Sequence, residues 1–185
     1  MAHRSGSSLE NNLPVSFGNF LYYTRRSKDD PNFIVHCRRQ QNGFDEEILL
    51  DEASTVGYWE HFDVRTMKIS PSQKYVAFIA DISRNDTYCG ILIDTVENPG
   101  KIVEQLPCVN IEWSGVDNIL YYTTFNNLHR ANKVWKHEIG QDTSKDELIF
   151  EENDARFFVD VSCTKDGRFV TINSSSKTTS EVRCF

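Results

Sequence analysis

Positive charge is the first shortage. The chain has 185 residues, with 20 Lys and Arg against 27 Asp and Glu, a net charge of −7. That balance grips phosphate backbones poorly, so nucleic acid is disfavoured as a partner. Long apolar runs are missing as well. None approaches membrane-spanning length, and Met1–Asn12 lacks the apolar centre of a secretory signal. The expectation is a soluble cytoplasmic protein without a membrane partner. The cysteines are odd in number and widely spaced. The five, Cys37, Cys89, Cys108, Cys163 and Cys184, include no C-x-x-C pair, which speaks against a zinc ribbon or a redox dithiol. Reduced thiols acting as small buried hydrophobes are the plain reading.

Catalytic motifs are absent too. There is no Gly-x-Ser-x-Gly elbow, no phosphate-binding loop around Gly100-Lys101-Ile102, and no His-Glu-x-x-His pair. His129 and His137 bracket Trp135, but as metal ligands they need partners from elsewhere, so a structural role is favoured. His36 and Cys37 are neighbours on a strand, which sends their side chains to opposite faces and argues against a catalytic pair. The acidic runs Asp45-Glu46-Glu47, Asp146-Glu147 and Glu151-Glu152-Asn153-Asp154 read as solvated loop charge, with a rim that attracts basic peptides as the sharper option. No catalytic, cofactor-binding or metal residue is assigned, and no cofactor is expected.

What is present is a repeat. Phe157–Cys163 and Phe169–Asn173 are β-rich runs flanking Asp166-Gly167, a pair that tolerates the positive φ of a tight hairpin. A third extended run, Thr178–Val182, follows a polar turn. Weaker copies lie upstream. Their second strands open at Phe20, Tyr75 and Ile119. A period of roughly 40–50 residues with about four strands per unit is the signature of propeller blades. A run of hairpins in a sandwich or barrel is the alternative. No long amphipathic helix is found, so the chain reads as all-β.

Taken in order, Met1–Pro14 reads as a flexible leader, with linker composition at Ser5-Gly6-Ser7-Ser8. Strands are expected over Phe20–Arg25, Phe33–Arg38 and Glu47–Leu50, with a linker or one helical turn across Asp51–Tyr58. A second unit holds Phe62–Ile69, Tyr75–Ala80, Thr87–Thr95 and Ile102–Leu106; Pro71 must end the first of these because it cannot donate to a ladder. A third holds Ile111–Trp113, Ile119–Thr124, Val134–Ile139 and Leu148–Phe150, and a fourth begins at Phe157.

Three stretches carry a family resemblance: Arg156-Phe157-Phe158-Val159, Thr164-Lys165-Asp166-Gly167-Arg168-Phe169, and Ser176-Lys177-Thr178-Thr179-Ser180-Glu181-Val182. Together they resemble the N-terminal propeller of the prolyl oligopeptidase family of serine peptidases, in its oligopeptidase B and prolyl endopeptidase-like branch. Leu21-Tyr22-Tyr23-Thr24-Arg25, Cys37-Arg38-Arg39, Glu47–Asp51 and Val134-Trp135-Lys136-His137 follow in the same order. The resemblance runs from Phe17 to Val182. It implies an all-β partial β-propeller of about three and a half blades from a ring of seven, over residues 15–185. It also implies that an α/β-hydrolase domain with a Ser-Asp-His triad is the partner, and that the propeller gates peptide substrates. The matching region lies upstream of the triad, so no catalytic position is carried over and the chain alone is not expected to hydrolyse peptides. Only the short leader precedes Phe17. Past Val182 the family continues into further blades, whereas here Arg183-Cys184-Phe185 follows; a truncated or partial product is expected. An unclosed set of blades exposes strand edges, so self-association of the isolated chain is expected as well. The alternative is a free-standing propeller-like interaction module without catalysis.

Overall fold

The computed structural model describes residues 13–55, 57, 59, 61–85 and 87–184. The expected leader falls outside the described residues apart from Leu13 and Pro14, as do Tyr58 and Phe185. The chain divides into two compact units after Thr55.

The first unit is one antiparallel sheet in chain order: β1 (Val15–Phe17), β2 (Phe20–Arg26), β3 (Ile34–Gln40) and β4 (Glu47–Asp51). Gly18 turns β1 into β2 at a φ of 56°, which suits a residue without Cβ. β1 was not expected; it is three exposed residues with no alternation to betray it. A single helical turn, α1 (Glu52–Thr55), follows β4, where a linker or helical turn was expected. Asp51 starts it by accepting from the Ala53 amide at 3.0 Å.

The second unit holds three sheets. The first is β5 (Asp63–Ile69), β6 (Tyr75–Asp81), β7 (Tyr88–Asp94) and β8 (Lys101–Leu106). The next is β9 (Asn110–Trp113), β10 (Ile119–Phe125), β11 (Ala131–Glu138) and β12 (Glu147–Glu151), with a 3-10 turn at Thr143–Lys145. The last is β13 (Phe158–Cys163), β14 (Val170–Ser175) and β15 (Ser180–Cys184). Each sheet is an antiparallel meander whose strands pair only with their sequence neighbours. Among the described residues no strand crosses between sheets and no sheet closes on itself, as a barrel would. Consecutive meanders of this kind are propeller blades.

The expected turns are in place. Gly167 takes a φ of 70° and its amide donates to the Thr164 carbonyl at 2.8 Å. Pro71 sits in the β5–β6 turn, where the Gln73 amide donates to Ser70 at 2.9 Å. β11 starts at Ala131 rather than Val134 because a bulge at Thr124/Phe125 lets the ladder continue through polar residues. β6 and β7 are buried along almost their whole length, which accounts for their lack of alternation.

Packing between sheets follows from these faces. Ala77, Ile79, Leu92 and Leu106 of the β5–β8 sheet meet Ile111, Trp113, Leu120 and Tyr122 of the β9–β12 sheet, with Cys108 from the connector between them. Val134 of β11 meets Val159, Val161 and Ile172 of the β13–β15 sheet in a smaller cluster.

Candidate functional site

The opening strands of the three sheets in the second unit, β5, β9 and β13, lie side by side. They bury Ile111, Val159 and Val161 and also carry a polar stripe of Arg65, Lys68, Asn110, Glu112 and Asp160. Glu112 is its hub. It is only 7% exposed, and Lys68 Nζ on β5 donates to its Oε2 at 2.7 Å. The Cys163 amide on β13 donates to the same oxygen at 3.2 Å, and the Trp113 amide to Oε1 at 3.1 Å. One carboxylate thus ties three sheets. Asn110 Nδ2 adds a bond to Asp160 Oδ1 and one to the Val161 carbonyl at 3.0 Å. Trp113 Nε1 donates to the Lys68 carbonyl at 3.1 Å.

A second polar knot sits deeper. His137 on β11 is 1% exposed. Its Nε2 lies 2.8 Å from Glu104 on β8, and its Nδ1 lies 2.8 Å from Asp146. Tyr122 donates to the other oxygen of Asp146 at 2.7 Å, and burial together with that bond pushes the phenol upward. Histidine 129 is elsewhere, in the exposed β10–β11 turn at a φ of 52°. The two histidines are therefore not brought together as ligands. Among the described residues no group of three or more His, Cys, Asp or Glu side chains is placed to hold a metal ion.

In the first unit, His36 Nε2 lies 3.0 Å from Glu52 of α1, so a carboxylate holds its ring. Burial pushes the Cys37 thiol up to about 12, far from a nucleophile's range. Burial also raises Cys89 and Cys108. The expectation of buried thiols holds for these three; Cys163 is half-buried and Cys184 exposed.

The acidic runs serve internal pairs. Glu46 accepts from Arg25 at 2.7 Å and from Tyr23 at 2.9 Å, and Glu47 pairs with Arg38 at 2.7 Å. Asp146 holds His137, and Glu151 pairs with Lys133 at 3.4 Å. Glu152 accepts from Ser174 at 2.8 Å; a bond from the Asp154 amide first, then Ser174, holds its carboxyl below the usual range.

At one end of the β13–β15 sheet a cleft of about 480 Å³ opens between the connector Ala155–Phe158 and the turn Ser176–Thr179. Arg130, 7% exposed, lies under the connector. Its Nη1 donates to the carbonyls of Asp154 at 3.0 Å and Phe157 at 2.6 Å, and its Nη2 to that of Glu152 at 3.2 Å. Asp154 in turn receives Arg156 Nη2 at 2.6 Å, which holds the Asp154 carboxyl down at about 2. Neither Glu112 nor Arg130 stood out in the sequence. The only signal was a charged residue between apolar ones in a short strand, Ile111-Glu112-Trp113.

Residues 9–185 match the family model described as prolyl oligopeptidase, N-terminal beta-propeller domain. Protease 2 of Moraxella lacunata is 30% identical over 184 residues, covering 94% of this chain and 26% of that protein. The prolyl endopeptidase-like protein of Xenopus laevis is 31% identical over 186 residues, 98% of this chain and 24% of that one. Oligopeptidase B from Leishmania major superposes with a TM-score of 0.84 at 27% identity, over 93% of this chain and 25% of that one. Oligopeptidase B from Trypanosoma brucei, solved with covalently bound antipain in a closed form, gives 0.81 at 28% identity, over 93% and 24%. The chain spans about a quarter of the length of the relatives it matches.

Proposed function

The chain belongs to the prolyl oligopeptidase family, as its N-terminal β-propeller region, and we propose that it acts there as the gate of a serine peptidase. In this reading the blades stand over an α/β-hydrolase domain that carries the nucleophile, and short peptides reach that nucleophile while folded proteins do not. The observation that supports it is the polar stripe on β5, β9 and β13. Opening strands of blades line the central channel of a propeller. Here they present Arg65 and Asp160 exposed, above a bonded layer of Lys68, Asn110 and Glu112. A channel lined this way stays hydrated and passes an extended peptide, whose own polar backbone needs partners throughout.

The test uses the longer protein that carries this region. It should cleave short peptides, be blocked by a serine-directed inhibitor, and spare folded proteins. Charge reversal at Asp160 to Lys, or at Arg65 to Glu, should change kcat/KM for longer peptides more than for the shortest substrates. Equal effects on both, or no inhibitor-sensitive hydrolysis at all, would remove the gate. Peptide binding without hydrolysis would instead favour an interaction module.

A further inference from the structure

The cleft beside Phe158 has two opposite chemistries in one small space. Phe157 is half-buried and Phe158 is 57% exposed, and together they make an apolar floor. Arg156 and Lys177 stand at its lip, both exposed. A pair of cations runs against the chain's net charge of −7. Arg156 shares its charge with Asp154, whereas Lys177 enters no ion pair among the described residues. A third cation, Arg130, lies buried beneath the connector.

Both walls are built before any ligand arrives. Arg130 clamps three carbonyls of the connector, as described above. Opposite, Ser176 Oγ accepts from the amides of Thr178 at 3.3 Å and Thr179 at 3.1 Å, which fixes the turn that carries Lys177. A pre-formed site loses little entropy on binding. The volume of about 480 Å³ lies within the ordinary range for small-ligand sites, roughly 300–1,000 Å³.

The occupant must place an anion next to an apolar group, because Arg156 adjoins Phe157 and Phe158 in the chain and Lys177 faces them from the opposite turn. In a peptide, only the C-terminal residue carries a carboxylate and an apolar side chain on the same carbon. We propose that this cleft binds the C-terminal carboxylate of a short peptide ending in an apolar residue, with Lys177 and Arg156 on the carboxylate and Phe158 against the side chain. This rests on the gate reading and sharpens it: the blade would hold the trailing end of a peptide, and so favour free-acid peptides.

The probe is a fluorescein-labelled Gly-Gly-Ala-Phe peptide as the free acid, its carboxamide, and Gly-Gly-Ala-Ser as the free acid, titrated into the purified chain by anisotropy. The free acid ending in Phe should bind saturably. The carboxamide should bind about tenfold more weakly, the loss expected for one charge-assisted pair. Lys177→Glu should weaken the free acid at least as much and leave the carboxamide unchanged, with Lys177→Gln between. Phe158→Ser should erase the preference for Phe over Ser. Lys177 is exposed, so its variants leave the fold intact. No saturable binding, equal affinity for acid and amide, or indifference to Lys177→Glu would overturn the proposal. Binding needs no hydrolysis, so a failed gate test leaves this result standing, and the reverse also holds.

Discussion

The two sheet-to-sheet seams of the second unit are built from different materials. Between the β5–β8 and β9–β12 sheets, nine buried residues from Ala77 to Tyr122 form one apolar cluster. Between the β9–β12 and β13–β15 sheets the cluster has four members, all Val or Ile. Directed bonds cross both seams, Lys68 to Glu112 and His137 to Glu104 at the first, but the thinner seam depends on them more: Glu112 to the Cys163 amide, Asn110 to the Val161 carbonyl, Arg130 to the connector, and Glu152 to Ser174. Apolar burial is non-directional and tolerates small shifts, whereas hydrogen bonds fix position. The first seam therefore supplies stability, and the second supplies placement of the connector that floors the cleft.

The largest effect should come from the apolar seam. Ile111→Ala should cost about 2–5 kcal/mol, from lost burial plus the cavity it leaves. Val161→Ala in the thin seam removes fewer methyls and should cost about 2 kcal/mol. Urea unfolding of the chain measures both. Equal losses would mean that the seams do not differ.

Arg130→Ala should cost about 3 kcal/mol, because three carbonyls lose a buried charged donor. Arg130→Lys should recover less than half of this, since an ammonium cannot reproduce the planar fork. The connector over residues 152–157 should become the first point of proteolysis in the Ala variant. A uniform loss of stability without local cleavage would remove its special role in holding the cleft.

Gly90→Ala probes how tightly the apolar seam closes. A Cβ on Gly90 would stand 2.5 Å from Cys108 Sγ, inside any tolerable contact. The expected cost is about 1–3 kcal/mol. Pairing it with Cys108→Ala should return most of that loss, a coupling that a double-mutant cycle reads directly. Additive losses would show that the clash relaxes elsewhere.

Legibility in the sequence followed the same division. The apolar strands declared themselves: Tyr75–Ala80 and Ile119–Thr124 were found nearly to the residue, because continuous or alternating apolar runs leave few ways to be arranged. Turn chemistry at Asp166-Gly167 and Ser70-Pro71 fixed where strands end. The polar staples were not legible. Lys68 and Glu112 lie 44 positions apart, and Glu112 and Cys163 lie 51 apart. Such pairs exist only once the sheets are stacked, and a lone glutamate looks the same whether solvated or clamped. The acidic runs show the cost of that ambiguity: Asp146 read as loop charge, yet it holds a buried imidazole. β1 escaped for the opposite reason, having no buried face to pattern.

The smallest effect is the most selective. Arg156, through its side chain and its amide, holds the Asp154 carboxyl at about 2, below the ordinary 3.8. A carboxylate depressed on folding contributes fully above its ordinary value and loses that contribution as pH falls through the folded one. Asp154 is a surface group, so the global stability change will be slight, but the local signal is clean. The Arg156 amide donates to Asp154 Oδ1 at 3.0 Å, so its proton shift should follow the titration. That shift should inflect near pH 2, and Asp154→Asn should flatten it. Amides on Ile111 and Leu120, buried in the apolar cluster, should not move over the same window. An Arg156 inflection near 3.8 would mean that the connector's ion pair is open in solution. The full Arg156 charge would then be available to a carboxylate in the cleft.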